Sequence, residues 1–472
     1  MKVFHISAEC YPVAKTGGLG DVVGALPKFQ RETGIEASVV MPWYDKPFVR
    51  DHSFTSVHSG NISQGMQTHS FEILKNVNSL GFDLYLVQIP GLLDRAEVYG
   101  YKDESDQFIA FQHALLRWMV EAEIKPSIIH CHDHHSGLIP FFVDYCKEFS
   151  TLKGIPTVFT VHNGEYQGWM PWHKALLMPE FNSDAWGLLD WNNMINPLAA
   201  AIKCCWAYTT VSEGYLEELY TQPQLGPLFL AEKDKAFGIV NGIDSAVWNP
   251  EQDPSIDFNY SLITVTRGKK ENKDALCKEY NLDKNLPLIA FIGRFAGEKG
   301  ADLLPGVIQQ IIENAKGKVS LFVLGSGDPL VEEGLEKLNR DLQQQFALVI
   351  GYNEALAHRI YASADFILMP SRVEPCGLNQ LYAMRFGTIP IVRATGGLKD
   401  TVSDITSGNG NGFLFVNPSI EDCVKAVERA LDFYQNSPLK NKLCKSNMKL
   451  DYSWKKSSQK YSKVYDLLID KL

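Results

Sequence analysis

Short apolar or β-branched runs alternate with longer amphipathic stretches along nearly the whole chain, and no other feature constrains the fold as strongly. Each run has the length of a buried strand, and stretches such as 104–123 repeat apolar residues every three or four positions, as a core-facing helix does. This alternation favours parallel βαβ units over a sandwich of antiparallel sheets. The predicted strands are 2–7, 37–41, 82–88, 127–130, 157–161 and 207–211, then 288–292, 319–324, 346–350, 365–369, 389–392 and 412–415.

The length of the chain and one pause in the pattern predict two domains. A chain of 472 residues is longer than one hydrophobic core usually serves. After Asn241-Gly242-Ile243-Asp244 a polar, proline-containing stretch at 249–254 interrupts the alternation, which predicts a domain boundary there. Helical spacing of apolar residues from about residue 454 onward predicts a closing helix that docks on one of the domains. The expected fold class is α/β, with two Rossmann-like sheets.

Charge, cysteine content and hydropathy exclude several classes of protein. A formal net charge of -10 argues against a protein that binds nucleic acid over a broad surface, because such binding needs an excess of Lys and Arg. No apolar run reaches the roughly 18 residues of a membrane helix, and the N-terminus lacks the pattern of a secretion signal. The nine cysteines are irregularly spaced and do not indicate a disulfide framework. We therefore expect a soluble, cytoplasmic protein without nucleic-acid or membrane partners.

Candidate phosphate-binding residues lie in turns after predicted strands, where open α/β sheets bind ligands. Lys15 and the glycines of 17–20 stand between a strand and a helix, where backbone N–H groups favour a phosphate. Arg294 and Lys299 flank a second glycine-containing turn and can converge on one diphosphate, stabilising charge on a leaving group. The alternative is a solvated turn with two surface cations. The chain has no Asp-x-Asp pair to hold a divalent ion against a nucleotide, so no metal is expected.

Three further turns carry polar groups. Glu374 lies between a predicted strand and a helix, and a buried carboxylate there would need a partner, although a helix start also tolerates Glu for dipole reasons. The residue types of 130–135, HCHDHH, are those of zinc ligands, but adjacent side chains point in different directions, which favours a polar loop with Asp133 facing a ligand. The stretch from His162 to Trp169 combines an imidazole, amides and aromatic rings, which suit sugars, although a lone histidine is more often structural.

Seven motifs follow one another in an order typical of a single family. They are KTGGLGDVVGALP, HCHDHHSG, HNGEYQG, NGID, GRFAGEKG, SRVEPCGLNQ and ATGGLKDTV. With them the chain resembles the bacterial glycogen synthases, in the retaining glycosyltransferase family that also holds the plant starch synthases. Two positions depart from the usual pattern of the family: His134 stands where Trp is usual, and Asn379 stands where Thr is common.

The resemblance implies the GT-B arrangement, in which two Rossmann-like domains face each other across a cleft. Residues 1–244 would form the acceptor side, residues 245–455 the nucleotide-sugar side, and residues 456–472 a helix that crosses back to the first domain. It also implies transfer of glucose from ADP-glucose to the non-reducing end of an α-1,4-glucan such as glycogen. The configuration of the sugar would be retained, and no cofactor would be needed.

The resemblance also implies roles for individual residues. The catalytic residues would be Glu374, His162, Arg294, Lys299 and Lys15. The donor would contact Lys15, Gly18, Asn241, Arg294, Lys299, Tyr352, Glu374, Cys376, Gly377, Leu378 and Thr395. The sugar and the acceptor would lie near Asp133, Asn163 and Tyr166. A double displacement would require a carboxylate beneath the anomeric carbon; because Glu374 is expected on the sugar hydroxyls instead, front-face attack within an ion pair is the working hypothesis.

Three other functions stay open from the sequence. A nicotinamide-dependent oxidoreductase could use the early glycines, but Gly18 and Gly20 are followed by Gly24, which breaks the dinucleotide-binding spacing. A related GT-B enzyme that uses UDP-glucose or another acceptor would keep the same donor residues. A non-catalytic glucan-binding protein of the same fold is disfavoured, because a binder has no use for cations on a leaving group.

Overall fold

The computed structural model describes all 472 residues, from Met1 to Leu472, and they divide into two compact units. The N-terminal unit contains Met1–Val211, Leu216–Gly242 and Trp454–Leu472. The C-terminal unit contains Ser212–Tyr215 and Ile243–Ser453. Each unit has its own sheet and its own core. None of the helices combines the length and the apolar character needed to cross a membrane.

A nine-stranded sheet forms the centre of the N-terminal unit. The strands of this unit are β1 (Lys2–Ile6), β2 (Glu36–Pro42), β3 (Phe54–Gln64), β4 (Gln67–Asn76), β5 (Asp83–Gln88), β6 (Ile128–His132), β7 (Thr157–Val161), β8 (Asp190–Trp191), β9 (Met194–Ile195), β10 (Ala207–Thr210) and β11 (Ala236–Gly238). The sheet runs β11-β10-β7-β6-β1-β2-β5-β4-β3, and β8 pairs separately with β9. Neighbours are parallel from β11 to β5, whereas β4 and β3 continue the sheet antiparallel.

The sequence pattern predicted the buried strands of this sheet and missed its edges. All six strands predicted in the first half are present. The hairpin of β3 and β4 was not predicted, because many side chains of β3 are polar and exposed and its sequence lacks a continuous apolar run. The edge strand β11 has only three residues, too few to give a pattern. The helices that accompany the sheet are α1 (Gly18–Glu32), α2 (Pro47–Asp51), α3 (Glu104–Glu121), α4 (Ile139–Tyr145), α5 (Trp186–Leu189), α6 (Pro197–Cys204), α7 (Glu213–Thr221) and α8 (Gly226–Ala231).

The C-terminal unit is built on a six-stranded parallel sheet, and all six strands predicted for the second half are present. They are β12 (Leu288–Ile292), β13 (Ser320–Gly325), β14 (Phe346–Ile350), β15 (Phe366–Met369), β16 (Ile389–Arg393) and β17 (Phe413–Phe415), in the order β14-β13-β12-β15-β16-β17. Helices cover both faces, which is why the strands are apolar without interruption. The helices are α9 (Val265–Glu279), α10 (Leu304–Asn314), α11 (Pro329–Asp341), α12 (Glu354–Ser363), α13 (Asn379–Arg385), α14 (Gly396–Thr401), α15 (Ile420–Tyr434) and α16 (Ser437–Met448).

The last helix, α17 (Trp454–Ile469), returns to the N-terminal unit. It buries side chains at steps of three and four residues: Tyr461, Val464, Tyr465 and Leu468. These side chains share a core cluster with Val22 and Leu26 of α1 and with Val3 of β1. The end of the chain is therefore part of the core on which the central strand β1 rests.

In both sheets the chain reverses its direction of winding beside a central strand. β1 lies between β2 and β6, and β12 lies between β13 and β15. The connections on the two sides diverge at such a point and leave a crevice at the carboxyl ends of the strands, where open α/β sheets bind ligands. Within each unit, the loops after β1 and β6 or after β12 and β15 are those placed to hold a ligand.

Candidate active site

An ion pair between a partly exposed lysine and a buried glutamate lies at the reversal point of the C-terminal unit. Nζ of Lys299, in the loop after β12, is 2.7 and 2.8 Å from the two carboxylate oxygens of Glu374, in the loop after β15. Glu374 is 6% exposed and also accepts a hydrogen bond of 2.9 Å from the hydroxyl of Ser371. A carboxylate this deeply buried requires such partners. The prediction that a buried Glu374 has a partner is confirmed, and the partner is one of the two cations expected at the diphosphate.

Backbone contacts hold the two loops of this ion pair together. Gly300 has a φ of +66°, and a Cβ at this position would lie 2.2 Å from the carbonyl oxygen of Pro370. The carbonyl of Glu298 accepts hydrogen bonds from the N–H groups of Arg372 and Val373, at 2.8 and 3.1 Å. Only glycine permits so close an approach in this conformation. The glycine turn after β12 thus fixes the position of the lysine beside it.

A third loop, the glycine turn after β16, packs on the loop of Glu374. The N–H of Gly397 donates to the Glu374 carbonyl at 3.1 Å, and a Cβ at Gly397 would lie 2.1 Å from the carbonyl oxygen of Cys376. Thr395 is buried at the start of this turn, and Gly377 has a φ of +72°. Leu378 follows directly, just before α13. These predicted donor residues therefore form one cluster around the ion pair.

Two other predicted donor residues extend toward solvent. The side chain of Arg294 is 66% exposed and pairs with Glu298 at 2.8 Å. Tyr352 follows β14 and is 80% exposed, and its hydroxyl donates to Glu354 at 2.9 Å. A guanidinium and an aromatic ring that face solvent are available to a phosphate and to a planar base.

In the N-terminal unit, a carboxylate already occupies part of the glycine turn after β1. Glu9 is 3% exposed and accepts hydrogen bonds from the N–H groups of Thr16 and Gly17, at 2.5 and 3.0 Å. The hydroxyl of Tyr99 donates to its other oxygen at 2.7 Å. The N–H group of Gly17, which belongs to the predicted phosphate turn, and that of its neighbour Thr16 thus already bind an anionic group of the protein itself. Lys15 is about one-third exposed and pairs with Asp21 at 2.7 Å.

Glu9 and Tyr99 were not recognised as site residues in the sequence. The only signal for Glu9 was an acidic residue three positions after a buried strand, and a single carboxylate in that place has many explanations. Tyr99 lies in a loop without any pattern. Its contact with Glu9 joins positions 90 residues apart, and no local pattern reports such a contact.

Asp133 and His162 meet at the ends of β6 and β7. The N–H of His162 donates to the Asp133 carboxylate at 2.7 Å, and Asp133 has a positive φ of 56°. Burial raises the pKa of Asp133 to about 7, while backbone N–H groups of His162 and Asn163 oppose this rise and the nearby charge of Glu9 adds to it. Burial lowers the pKa of His162 to about 3. A carboxyl group that titrates near neutral pH beside a neutral imidazole is typical of a functional site.

The remaining predicted residues of this unit lie in three places. Asn163 accepts a hydrogen bond from Glu165, and Tyr166 is 61% exposed, so its ring is accessible. Gly18 is the first residue of α1. Asn241 is 5% exposed, and its side-chain oxygen Oδ1 is buried without a hydrogen-bond partner. A buried acceptor without a partner is costly and suggests that a ligand supplies the missing donor.

Two groups of residues in this unit have the composition of a metal site. The nitrogens of His5, His130 and His132 that could bind a metal lie within 4.8 Å of one another, and a second group contains Glu104, His134 and His135. In the first group all six ring nitrogens already have hydrogen-bond partners, so a metal would have to displace them. In the second group Nδ1 of both histidines has no partner.

Comparisons with protein families give two matches, one to each half of the chain. A model of the starch synthase catalytic domain matches residues 2–229. A model named glycosyl transferases group 1 matches residues 272–447. The first range contains the turn of Lys15 together with Asp133 and His162. The second contains the Lys299–Glu374 ion pair.

Individual relatives match over the whole chain. A glycogen synthase of Flavobacterium johnsoniae is 46% identical over 471 residues, which cover 99% of this chain and 99% of the relative. A glycogen synthase of Geobacillus thermodenitrificans is 36% identical over 486 residues, covering 100% and 98%. Among solved structures, the catalytic domain of starch synthase IV from Arabidopsis thaliana, bound to ADP and acarbose, superimposes with a TM-score of 0.89 at 30% identity and covers 99% of each chain.

Proposed function

This chain belongs to the glycogen synthase family, which also includes the starch synthases, and from that premise we propose that it extends an α-1,4-glucan with glucose taken from ADP-glucose. It is a retaining glycosyltransferase with the two-domain α/β fold of the GT-B class. The observation that carries the assignment of its chemistry is the Lys299–Glu374 pair, with its buried carboxylate, at the reversal point of the C-terminal sheet. We assign nucleotide-sugar binding to this unit and the acceptor to the N-terminal unit.

We assign the donor diphosphate to Arg294, Lys299 and Lys15. Each of these cations is held by a carboxylate: Glu298, Glu374 and Asp21 respectively. A diphosphate carries more negative charge than one carboxylate. It can therefore replace the carboxylate as the partner of each cation, so that the cation has an anionic partner both before and after the donor binds. Cations held in place stabilise the charge that develops on the leaving diphosphate, because little reorganisation is needed when the bond to the sugar breaks.

The donor's other groups have matching partners in the structure. We place the base against the exposed ring of Tyr352 and the glucose hydroxyls against Glu374. Backbone groups of 376–378 and the turn of Thr395 border the same cluster, and Gly18 and Asn241 complete the donor contacts. The free side-chain oxygen of Asn241 supports its inclusion, because a ligand hydroxyl can satisfy it.

The reaction centre is assigned to His162, with Asp133, Asn163 and Tyr166 toward the sugar and the acceptor. With the donor bound, the hydroxyl of Ser371 and the sugar hydroxyls that we assign to Glu374 donate to its oxygens, which makes this carboxylate a weak nucleophile. We therefore favour front-face attack: the bond to the diphosphate breaks, the acceptor hydroxyl attacks from the same face, and its proton passes to the departing phosphate oxygen. A glucosyl adduct trapped on Glu374 and located by mass spectrometry would refute this step.

We propose that the transfer needs no metal and takes place in the cytoplasm. The chain lacks the paired aspartates that hold a divalent ion against a diphosphate, and its side-chain cations can meet the same charge. All nine cysteines are free thiols, as expected in a reducing compartment. Full activity after exhaustive treatment with a chelator is the expected result. Loss of activity that Mg²⁺ or Zn²⁺ restores would contradict the metal-free proposal.

One assay tests both the donor and the machinery. Purified enzyme is given ADP-glucose or UDP-glucose with a glycogen primer, and incorporation of labelled glucose is measured. We expect transfer from ADP-glucose, and Lys299→Ala should lower kcat/KM by about 10³-fold. The matched control is Lys270→Ala, which breaks an exposed i,i+4 pair with Asp274 and should change kcat/KM by less than about twofold. Preference for UDP-glucose would replace the donor assignment, and no transfer from either would contradict the function.

A further inference from the structure

Four buried histidines lie at the carboxyl ends of β1, β6 and β7. His162 Nε2 is 3.0 Å from Nδ1 of His132, whose Nε2 is 3.0 Å from Nδ1 of His5. His5 Nε2 is in turn 2.7 Å from the side-chain oxygen of Gln30 on α1. Three rings and one amide thus form a continuous hydrogen-bonded chain that begins at a candidate reaction-centre residue.

The hydrogen-bonded chain continues to the last helix of the protein. Nε2 of Gln30 donates to the hydroxyl of Tyr465 on α17 at 3.0 Å. That hydroxyl lies 2.7 Å from Nδ1 of His130, the fourth histidine, whose Nε2 is 2.6 Å from the hydroxyl of Thr160. All of these residues belong to the N-terminal unit and are buried. Tyr465 is more than 300 residues from His162 in sequence, so only the docking of α17 brings it to the chain.

The histidine rings of this hydrogen-bonded chain are neutral. Burial lowers the pKa of His5 to about 4 and that of His162 to about 3, and it holds the pKa values of His130 and His132 well below the usual range. A neutral imidazole has one N–H donor and one acceptor nitrogen. A row of such rings has only two consistent directions, because each ring must donate on one side and accept on the other.

Gln30 selects one of these two directions. Its side-chain oxygen can only accept, so the proton of His5 lies on Nε2 and Nδ1 of His5 accepts from His132. By the same rule His132 accepts from His162, which therefore carries its proton on Nε2. A flipped amide would reverse every bond. In the structure the amide NH₂ group donates to the hydroxyl of Tyr465, whose own proton can then go to Nδ1 of His130, so the first orientation satisfies every bond from His162 to Thr160.

The hydrogen-bonded chain ends at His162, whose other ring nitrogen, Nδ1, takes no part in the bonds to the other histidines. We propose that Gln30 and Tyr465 are positioning residues that fix the tautomer of His162, so that Nδ1 presents a lone pair to the substrate. This inference rests on the proposed function, which places His162 at the reaction centre. A lone pair on Nδ1 can accept a hydrogen bond from a hydroxyl group of the sugar. It is also compatible with the positive charge that develops at the anomeric carbon, whereas the partial positive charge of an N–H group directed there would oppose it. The C-terminal helix is thereby part of the catalytic apparatus, although it touches no substrate.

Two substitutions test the chain with little change of shape. Tyr465→Phe removes only the hydroxyl to which the amide donates, and Gln30→Met removes the amide from the chain. The matched control is Tyr461→Phe, one helical turn earlier on α17, at a position that is equally buried. Its ring also packs beside His130, with the ring centroids 5.6 Å apart, but its hydroxyl is not one of the links described above. Circular dichroism and thermal melting establish that each variant is folded.

The primary measurement is nitrogen NMR of enzyme with ¹⁵N-labelled histidine rings, with the His162 signals identified by their loss in His162→Gln. We expect the Nε2–H tautomer of His162 in the unaltered enzyme and in Tyr461→Phe, and a mixture of tautomers in Tyr465→Phe and Gln30→Met. In the latter two, kcat should fall by roughly tenfold, as when partners behind a site residue are removed, while the KM for ADP-glucose stays within about twofold.

The tautomer measurement separates this inference from the proposed function, because it needs no substrate. A proton on Nδ1 of His162 in the unaltered enzyme would overturn the inference, as would an unchanged tautomer in both Tyr465→Phe and Gln30→Met. A loss of kcat in Tyr461→Phe equal to that in Tyr465→Phe would also overturn it. If the expected tautomer pattern is found but no nucleotide-glucose is used, the positioning role stands and the proposed function fails.

Discussion

Apart from Lys15, which pairs with Asp21, the candidate residues of the two units are held by opposite electrostatic means. In the C-terminal unit, full charges are paired: Lys299 with Glu374, and Arg294 with Glu298. In the N-terminal unit, buried imidazoles are kept neutral by desolvation, and the pKa of the Asp133 carboxyl is raised to about 7. The difference matches the two kinds of ligand group that we propose for these residues. A diphosphate needs charges that can change partners, whereas sugar hydroxyls need fixed donors and acceptors without net charge.

The largest expected effect comes from making the charged pair neutral. Glu374→Gln keeps the size of the side chain but leaves Lys299 without its counterion and weakens the hydrogen bonds offered to the sugar. We expect kcat/KM to fall by about 10³-fold, or roughly 4 kcal/mol. Steady-state kinetics with ADP-glucose measures this loss. Near-normal kinetics would show that the ion pair only stabilises the fold.

The next effect separates the roles of the two units. His162→Ala removes a neutral acceptor that we assign to the reaction centre, and kcat should fall by about 10²-fold with little change in the KM for ADP-glucose. Arg294→Ala, in the charged group, should instead raise the KM for the donor as well as lowering kcat. The kinetic constants of the two variants, measured side by side, test the division. Identical patterns in both would erase the distinction between the units.

A third effect comes from the raised pKa of Asp133. In the folded protein the Asp133 carboxyl group keeps its proton up to a pH of about 7, whereas in the unfolded chain it loses the proton near its ordinary pKa of 3.8. The free energy of unfolding therefore decreases as the pH rises from 3.8 to 7. Asp133→Asn removes the penalty. The stability of the variant relative to the unaltered protein should be greater at pH 8 than at pH 5.5 by about 2 kcal/mol, measured by urea unfolding. A pH-independent difference would contradict burial of an acidic proton.

The smallest effect concerns the sensitivity of the N-terminal unit to acid. Burial lowers the pKa of His134 to about 4. Between pH 6.5 and pH 4 this imidazole therefore binds a proton in the unfolded chain but not in the folded protein. The free energy of unfolding falls as the pH drops through this range. His134→Gln should lessen the loss of stability between pH 7 and pH 5.5 by about 1 kcal/mol. The control, His173→Gln, replaces an exposed histidine and should leave the acid dependence unchanged. Equal effects of both would remove the contrast with the C-terminal unit.

The sequence predicted features that depend on neighbouring residues, such as buried strands, and missed those that depend on contacts between distant residues. Buried parallel strands are recognisable because both faces are covered and every side chain is apolar, which is why 288–292 coincides with β12. The strand β3 escaped prediction because it is long, half-exposed and at the edge of the sheet. The need of Glu374 for a partner could be predicted from the cost of burial alone. The identity of that partner could not, because Lys299 is 75 residues away and is positioned by the close packing at Gly300.

The same limit applies to the N-terminal unit. The turn of Lys15 could be identified as a strand-to-helix loop, but not the carboxylate of Glu9 that occupies the N–H groups of Thr16 and Gly17. The histidines of the HCHDHH stretch attracted attention as possible zinc ligands. Two of them instead bond to distant parts of the sequence: His130 to Tyr465 on the last helix, and His132 to His5 on the first strand.

The most direct test of the central claim is a crystal structure of the protein with ADP. In the present structure Lys299 binds Glu374, and Arg294 binds Glu298. We predict that both cations will then lie within hydrogen-bonding distance of the ADP diphosphate, with the guanidinium of Arg294 released from Glu298. ADP bound with Lys299 still paired only to Glu374, and with no side-chain cation on the diphosphate, would contradict the exchange of partners on which the proposed chemistry depends.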